Sequence, residues 1–146
     1  MSVLLNGPVS LPVTAGRILL AGDETSVLAI RTIVQMLPES ARGQIFIEVS
    51  RAADIQMVET PELVTVTWLA RESRSGNPGT SESCQPGQAL DRAVRAWVSE
   101  MNTGNGEVDG GELIAWIDGD SVLLNDLRSD LTARLGSSTD TGTFVR

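Results

Sequence analysis

Residues 17–26, Arg-Ile-Leu-Leu-Ala-Gly-Asp-Glu-Thr-Ser, decide the fold. The apolar run Arg17 to Gly22 ends in glycine and passes at once into Asp23, Glu24, Thr25 and Ser26, residue types that open helices. That order reads as strand, tight turn, helix. The helix then sets Val27, Ile30, Ile33, Val34 and Leu37 three and four residues apart on one face and stops at Pro38. Such a stripe needs a sheet to cover.

Working outward, Gln44 to Ser50 reads as a second, mostly buried strand interrupted only by Glu48, and a weak short helix is expected over Arg51 to Met57. Val64 to Ala70 is the third strand, its Val/Thr alternation suiting a sheet edge. Glu72 to Gly87, rich in serine, glycine and proline, predicts a long mobile loop. Leu90, Val94, Trp97, Val98 and Met101 then share one helix face, and the glycines of Asn102 to Gly111 end it. Glu112 to Ile117 is a fourth strand. Asp120 or Ser121 caps a last helix carrying Leu124, Leu127, Leu131 and Leu135, closed by Gly136. Thr141 to Val145 is expected as a short fifth strand. Alternating strands and helices imply right-handed crossovers and an α/β fold: an open, doubly wound parallel sheet of about five strands in the order 3-2-1-4-5. The ligand crevice of such a sheet lies at the carboxyl ends of strands one and four. The N-terminal arm, with Val3, Leu4, Leu5, Val9, Leu11 and Val13, is expected outside the sheet.

Composition narrows the chemistry. With 41% apolar and 21% charged residues in 146, the chain is expected to fold as one domain without a staple. Its net charge of −8, with no basic stripe, disfavours nucleic acid and anionic membranes as partners. The absence of histidine removes an imidazole base, a Ser/His triad and an ordinary zinc site, so no catalytic side chain and no metal site is assigned. Cys84 is the single thiol; in its polar stretch it is expected to be exposed and incidental, and a reducing cytoplasm fits best. Met1 to Gly16 has no basic segment and is broken by Pro8 and Pro12, so it does not read as a signal peptide. Nor is any apolar run near the ~20 residues needed to span a bilayer.

Candidate binding residues cluster at strand ends. Gly22-Asp23-Glu24-Thr25 occupies the turn where a pyrophosphate would meet helix amides, but it has one glycine rather than a glycine-rich fingerprint. Asp23 capping the helix and Glu24 complementing its dipole is the favoured reading, with Thr25 and the turn amides as ligand contacts. Ser50-Arg51, ending strand two, stands where an adenosine ribose or its 2′-phosphate is read; a strand-end serine and a solvated arginine are an equal alternative. Arg71 and Arg74, after strand three, are weaker candidates of the same kind. Asp118-Gly119-Asp120, after strand four, would let a nicotinamide approach the backbone at the glycine, or is simply a turn and a cap. Trp68, Trp97 and Trp116 read as packing residues.

The residues Leu19-Leu20-Ala21-Gly22-Asp23-Glu24-Thr25, with Leu28-Ala29-Ile30, resemble the signature of the siderophore-interacting protein family. Its members are flavin-dependent ferric-siderophore reductases related to ferredoxin reductases. Matching residues continue in order: Ala41-Arg42-Gly43, Ile47-Glu48-Val49, Val66-Thr67-Trp68-Leu69 with Arg71, and Ala115-Trp116 with Gly119. The resemblance implies a ferredoxin-reductase-like nucleotide-binding domain over residues 17–146. Residues 1–16, through Gly7-Pro8, resemble the end of the family's flavin barrel. It further implies weak binding of NADPH or NADH, no FAD held by this chain alone, a role in iron uptake, and oxidoreductase activity only with a separate flavin-barrel protein. Two positions depart from the family: Asp118-Gly119-Asp120 stands for alanine-glycine-glutamate, and Gly142-Thr143-Phe144 for glycine-tyrosine-tryptophan. Both fall near the nicotinamide and flavin, and they sustain an alternative, a non-catalytic nucleotide-binding or protein-interaction module. A domain side that would pack on the barrel, together with the apolar arm, implies a homodimer or a barrel partner.

Overall fold

In the computed structural model, which describes residues 2–4, 17–101 and 113–135, the chain runs β1 (Ser2–Leu4), β2 (Arg17–Asp23), α1 (Val27–Gln35), β3 (Arg42–Val49), β4 (Leu63–Ala70), α2 (Gln88–Met101), β5 (Leu113–Ile117) and α3 (Val122–Leu135). The strands pair in parallel in the order β1-β5-β2-β3-β4. The four central assignments from sequence therefore stand in the expected order, as β4, β3, β2 and β5. The strand expected at Thr141 to Val145 lies outside the described residues, as do Gly136 and the glycines after α2.

One expectation is corrected at the β5 edge. Val3 and Leu4 lie in the sheet, not outside it: Ser2, Val3 and Leu4 pair in register with Ile114, Ala115 and Trp116. The physical reason is the row of backbone donors and acceptors that β5 would otherwise leave unpaired, which a short apolar segment completes.

Because successive strand residues point to opposite faces, β2 divides its side chains between two cores. Leu19 and Ala21 join Phe46, Leu69, Ala115 and Ile117 beneath α2 and α3, whose Leu90, Val94, Val98, Leu124, Leu127 and Leu131 are all buried. Ile18 and Leu20 join Ile45, Ile47 and Trp116 beneath Ile30, Ile33 and Val34 of α1. Helices thus cover both faces, as a parallel sheet requires. Trp116 is fully buried, consistent with packing, whereas Met101 is half exposed and leaves the apolar face expected for it. β4 lies at the edge the sequence suggested, with Val64 buried between exposed Leu63 and Thr65 and with Val66, Thr67 and Trp68 all half-buried rather than alternating. Of the two candidate caps for α3, Ser121 fills the role, its hydroxyl accepting from Leu123 N at 3.2 Å.

Two connections differ from expectation. The helix expected over Arg51 to Met57 is only a 3-10 turn, Ala52–Asp54, because Asp54 folds back to accept from Arg51 N at 3.1 Å and closes it. The stretch expected as a long mobile loop is folded on itself: Gly76 N donates to Glu82 O at 2.7 Å, Cys84 N donates to Arg74 O at 2.9 Å, and Ser75 and Ser83 form an antiparallel bridge. Cys84 is correspondingly buried rather than exposed, tucked into the α2 core with its thiol donating to Ser75 O at 3.2 Å.

Gly43 controls the central pairing of β2 and β3. Its φ is +149°, and a Cβ there would stand 1.9 Å from the carbonyl oxygen of its register partner Ile18. Gly43→Ala is expected to lower stability by at least ~2 kcal/mol, from strain and separation of the strands, as read by urea denaturation. A loss below ~0.5 kcal/mol, the range of a neutral surface change, would contradict this packing.

Candidate functional site

All four long strands run the same way, so their carboxyl ends form one edge of the sheet, the edge at which open α/β folds take ligands. Every predicted site residue is carried there: Gly22 and Asp23 at the end of β2 with Glu24 and Thr25 following, Ser50 and Arg51 after β3, Arg71 after β4, and Asp118, Gly119 and Asp120 after β5. The chain leaves β2 toward α1 on one face and β5 toward α3 on the other, which puts the switch point between the Asp23 and Gly119 turns.

These two turns are joined by Asp23 and Asp118. Asp23 caps as the sequence suggested, its Oδ1 accepting from Thr25 N at 2.9 Å and from the Thr25 hydroxyl. The buried Ser26 hydroxyl lies 3.5 Å from the same oxygen and donates to Asp118 Oδ2 at 3.0 Å. Asp118 N donates to Ala21 O at 2.9 Å, and Asp120 N approaches Asp23 Oδ2 at 3.4 Å. Gly119 has φ +148°, and a Cβ would lie 2.3 Å from Leu124 Cδ1 and 2.8 Å from Asp23 Oδ2. This glycine is demanded by close approach within the protein itself.

A second cluster centres on Glu48, which the sequence showed as an interruption in an apolar strand and within the family-like Ile47-Glu48-Val49, but not as a site residue. Its carboxylate has no exposed surface. Oε1 accepts from Gly87 N at 2.7 Å and Oε2 from Leu90 N at 2.8 Å, so a strand side chain satisfies the free amides at the start of α2. Arg71 completes the arrangement, donating through Nη1 to Glu48 Oε1 at 2.9 Å and through both terminal nitrogens to Glu24 at 2.8 and 3.2 Å. The paired hydrogen bonds from Arg71 hold the Glu24 carboxyl below its ordinary range, and Glu24 in turn raises the guanidinium further above its own. Glu24 is therefore tied to a cation rather than serving mainly the helix dipole.

These contacts set what the edge offers a ligand. Arg71, with its side chain 12% exposed, is committed to two carboxylates. Arg51 is open, 67% exposed, with Asp54 3.9 Å away, and the adjacent Ser50 is exposed too. A hydroxyl beside an exposed guanidinium at the end of β3 fits a ribose phosphate. The β2 turn, by contrast, spends the Thr25 amide on Asp23 and supplies no glycine-rich cradle for a pyrophosphate. Sequence reasoning missed Glu48; the signal was there, since a charged residue in a buried strand needs a partner. Glu48 pairs in register with Leu69, and Arg71 follows on the same face two residues later.

Comparison with known proteins gives a consistent family. A family model described as siderophore-interacting protein matches residues 15–145. Over 72 residues the chain is 33% identical to the ferric vibriobactin reductase ViuB of Vibrio cholerae, covering 49% of this chain and 27% of that protein. A siderophore utilization protein from T. fusca superposes with a TM-score of 0.63 at 27% identity, over 92% of this chain and 44% of that one. The siderophore-interacting protein SipS from Aeromonas hydrophila shares the fold, with a TM-score of 0.56 at 20% identity over 94% of this chain and 46% of the other. The chain spans less than half the length of these relatives. No helix among the described residues is long and apolar enough to cross a membrane.

The Glu24 shift has a definite sign. A carboxyl whose folded pKa is depressed contributes stability that is present above its unfolded value and is lost as pH falls through the folded one. Glu24 is 46% exposed, so after solvent screening the contribution is under about 1 kcal/mol. The stability difference between the wild type and Glu24→Gln is expected to be constant near neutral pH and to shrink below pH 4.5, the ordinary value for this group. Denaturation at a series of pH values reads it; a difference that grows on acidification would refute the pairing.

Proposed function

This chain belongs to the siderophore-interacting protein family, and we propose that it forms the pyridine-nucleotide-binding part of a ferric-siderophore reductase. The observation that carries this reading is the open edge at the carboxyl ends of the parallel strands, where Ser50 and Arg51 present a hydroxyl and a guanidinium beside the switch point. The likeness to a ferric vibriobactin reductase supports the reaction class. When bound, reduced nicotinamide would supply a hydride to a flavin, whose electrons reduce ferric iron. The residues of this chain bind and orient: Ser50 and Arg51 take the adenosine 2′-phosphate, Thr25 lies in the turn facing the dinucleotide, and Gly119 lets the β5 turn pack closely on Asp23 and Leu124. Asp23, Asp118 and Asp120 border the crevice and hold its two sides together.

The same acidic border favours a second reading, a module that keeps the fold without redox activity. Asp23, Glu24, Asp118 and Asp120 surround the place where a pyrophosphate would sit, and the nearest guanidinium, that of Arg71, is already paired twice. Titration calorimetry with each nucleotide separates the readings. The reductase reading predicts weak binding with NADPH preferred over NADH, and loss of that preference in Arg51→Ala by about tenfold. No heat with either nucleotide favours the second reading; equal affinities, or an unchanged preference in the variant, remove the role given to Arg51.

The proposal includes a partner. Leu28, Met57, Leu63 and Val122 are each more than half exposed, apolar surface that a second copy or a flavin-bearing protein would cover. Light scattering during gel filtration at micromolar concentration is expected to give a dimer mass. A monomeric mass removes the homodimer and leaves the flavin-bearing partner.

A further inference from the structure

Among the described residues, three arginines of this acidic chain face carboxylates. Arg51 faces Asp54, Arg71 faces Glu24 and Glu48, and Arg95 faces Asp91 and Asp130. Arg74 and Arg92 are different. Together they line a pocket of about 330 Å³ with Ser75, Cys84, Ala89 and Ala93, and among the described residues no carboxylate contributes to its wall. We propose that this pocket binds a phosphate group.

Arg92 is preorganised for the task. Its Nη1 donates to Ser75 O at 2.6 Å and reaches the Cys84 sulfur at 3.8 Å, while its Nη2 donates to Gly76 O at 2.9 Å. Three of the five N–H groups of a guanidinium are thereby used, and two remain for an anion. Those contacts are to neutral groups, so the positive charge is positioned without being cancelled. Arg74 makes no side-chain hydrogen bond or ion pair among the described residues, and all its donors are free to turn inward. On the helix side the wall is Ala89 and Ala93, one turn apart, whose methyl groups leave the space between the guanidinium groups open. The backbone of the folded stretch fixes the geometry, because Cys84 N donates to Arg74 O at 2.9 Å and Ser75 O takes both the Cys84 thiol and Arg92.

The pocket belongs to the ligand edge of the sheet. Glu72, two residues before Arg74, ties it there: Glu72 N donates to Ser50 O at 3.1 Å, and Glu72 Oε1 accepts from Ala52 N at 3.0 Å. A phosphate held by Arg74 and Arg92 therefore has two sources of the same chemistry, free inorganic phosphate or the phosphate of a nucleotide lying along the edge. The site does not depend on the nucleotide reading, because two unpaired cationic groups in an acid-free pocket take an oxyanion of either origin.

The full chain, labelled with nitrogen-15 and titrated with inorganic phosphate at low ionic strength, tests the site. Saturable shifts are expected at the amides of Ser75, Cys84 and Arg92. Arg74→Ala, which removes no protein contact, should weaken binding by about tenfold, as should Arg92→Gln, while Arg95→Gln should leave it unchanged. Displacement of phosphate by both nucleotides assigns the site to a phosphate common to them, displacement by NADPH alone moves the 2′-phosphate from Arg51 to this pocket, and displacement by neither assigns it to a free oxyanion; each supports the site. Absence of saturable shifts, or equal affinity in wild type and Arg74→Ala, overturns it. Failure of both nucleotides to bind leaves the phosphate titration intact, so the two proposals fail separately.

Discussion

The carboxylate of Glu48 sits with no exposed surface at the carboxyl end of a central strand, and three elements are arranged around it. A buried carboxylate is costly unless it is both hydrogen-bonded and paired with a cation. Here the Gly87 and Leu90 amides and the Arg71 guanidinium meet those needs together. In doing so they fix where α2 begins, where the chain turns after β4, and how Glu24 is held above the crevice. Arg71, on the β4 side of the ligand edge, and the start of α2 owe their places to this group.

The fold was legible because its signals are periodic. Three- and four-residue spacing on α1, α2 and α3, and apolar runs ending at glycine or at acidic turns, place the main elements and their order without knowledge of contacts. Ser2–Leu4 was not legible as a strand because three residues carry no period; only the open edge of β5 selects them. The folded stretch around Cys84 was hidden for a related reason. Its serines and glycines read as a loop by composition, and what orders it is a set of backbone hydrogen bonds and two arginines distant in sequence.

At the ligand edge, the sequence placed the residues but not their commitments. Asp23, Thr25, Arg71 and Gly119 stand where expected, yet much of their chemistry is directed inward, Asp23 to the β2 turn and Arg71 to two carboxylates. Arginines left accessible for anions are Arg51, which is mostly exposed and only loosely paired with Asp54, and Arg74. That distribution explains how a chain of net charge −8 can still offer local sites for a phosphate: the cations that matter are the ones its carboxylates leave unpaired or only loosely paired.

The dependence on Glu48 is open to a direct measurement, a double-mutant cycle of Glu48→Leu and Arg71→Met by urea denaturation, with hydrogen exchange on the first turn of α2. Each single substitution leaves a buried charge with reduced compensation and is predicted to cost about 3 kcal/mol or more, with a coupling energy of about 1–3 kcal/mol between them. The Gly87 and Leu90 amides should lose protection in Glu48→Leu. Additive costs, with protection of these amides unchanged, would contradict the account.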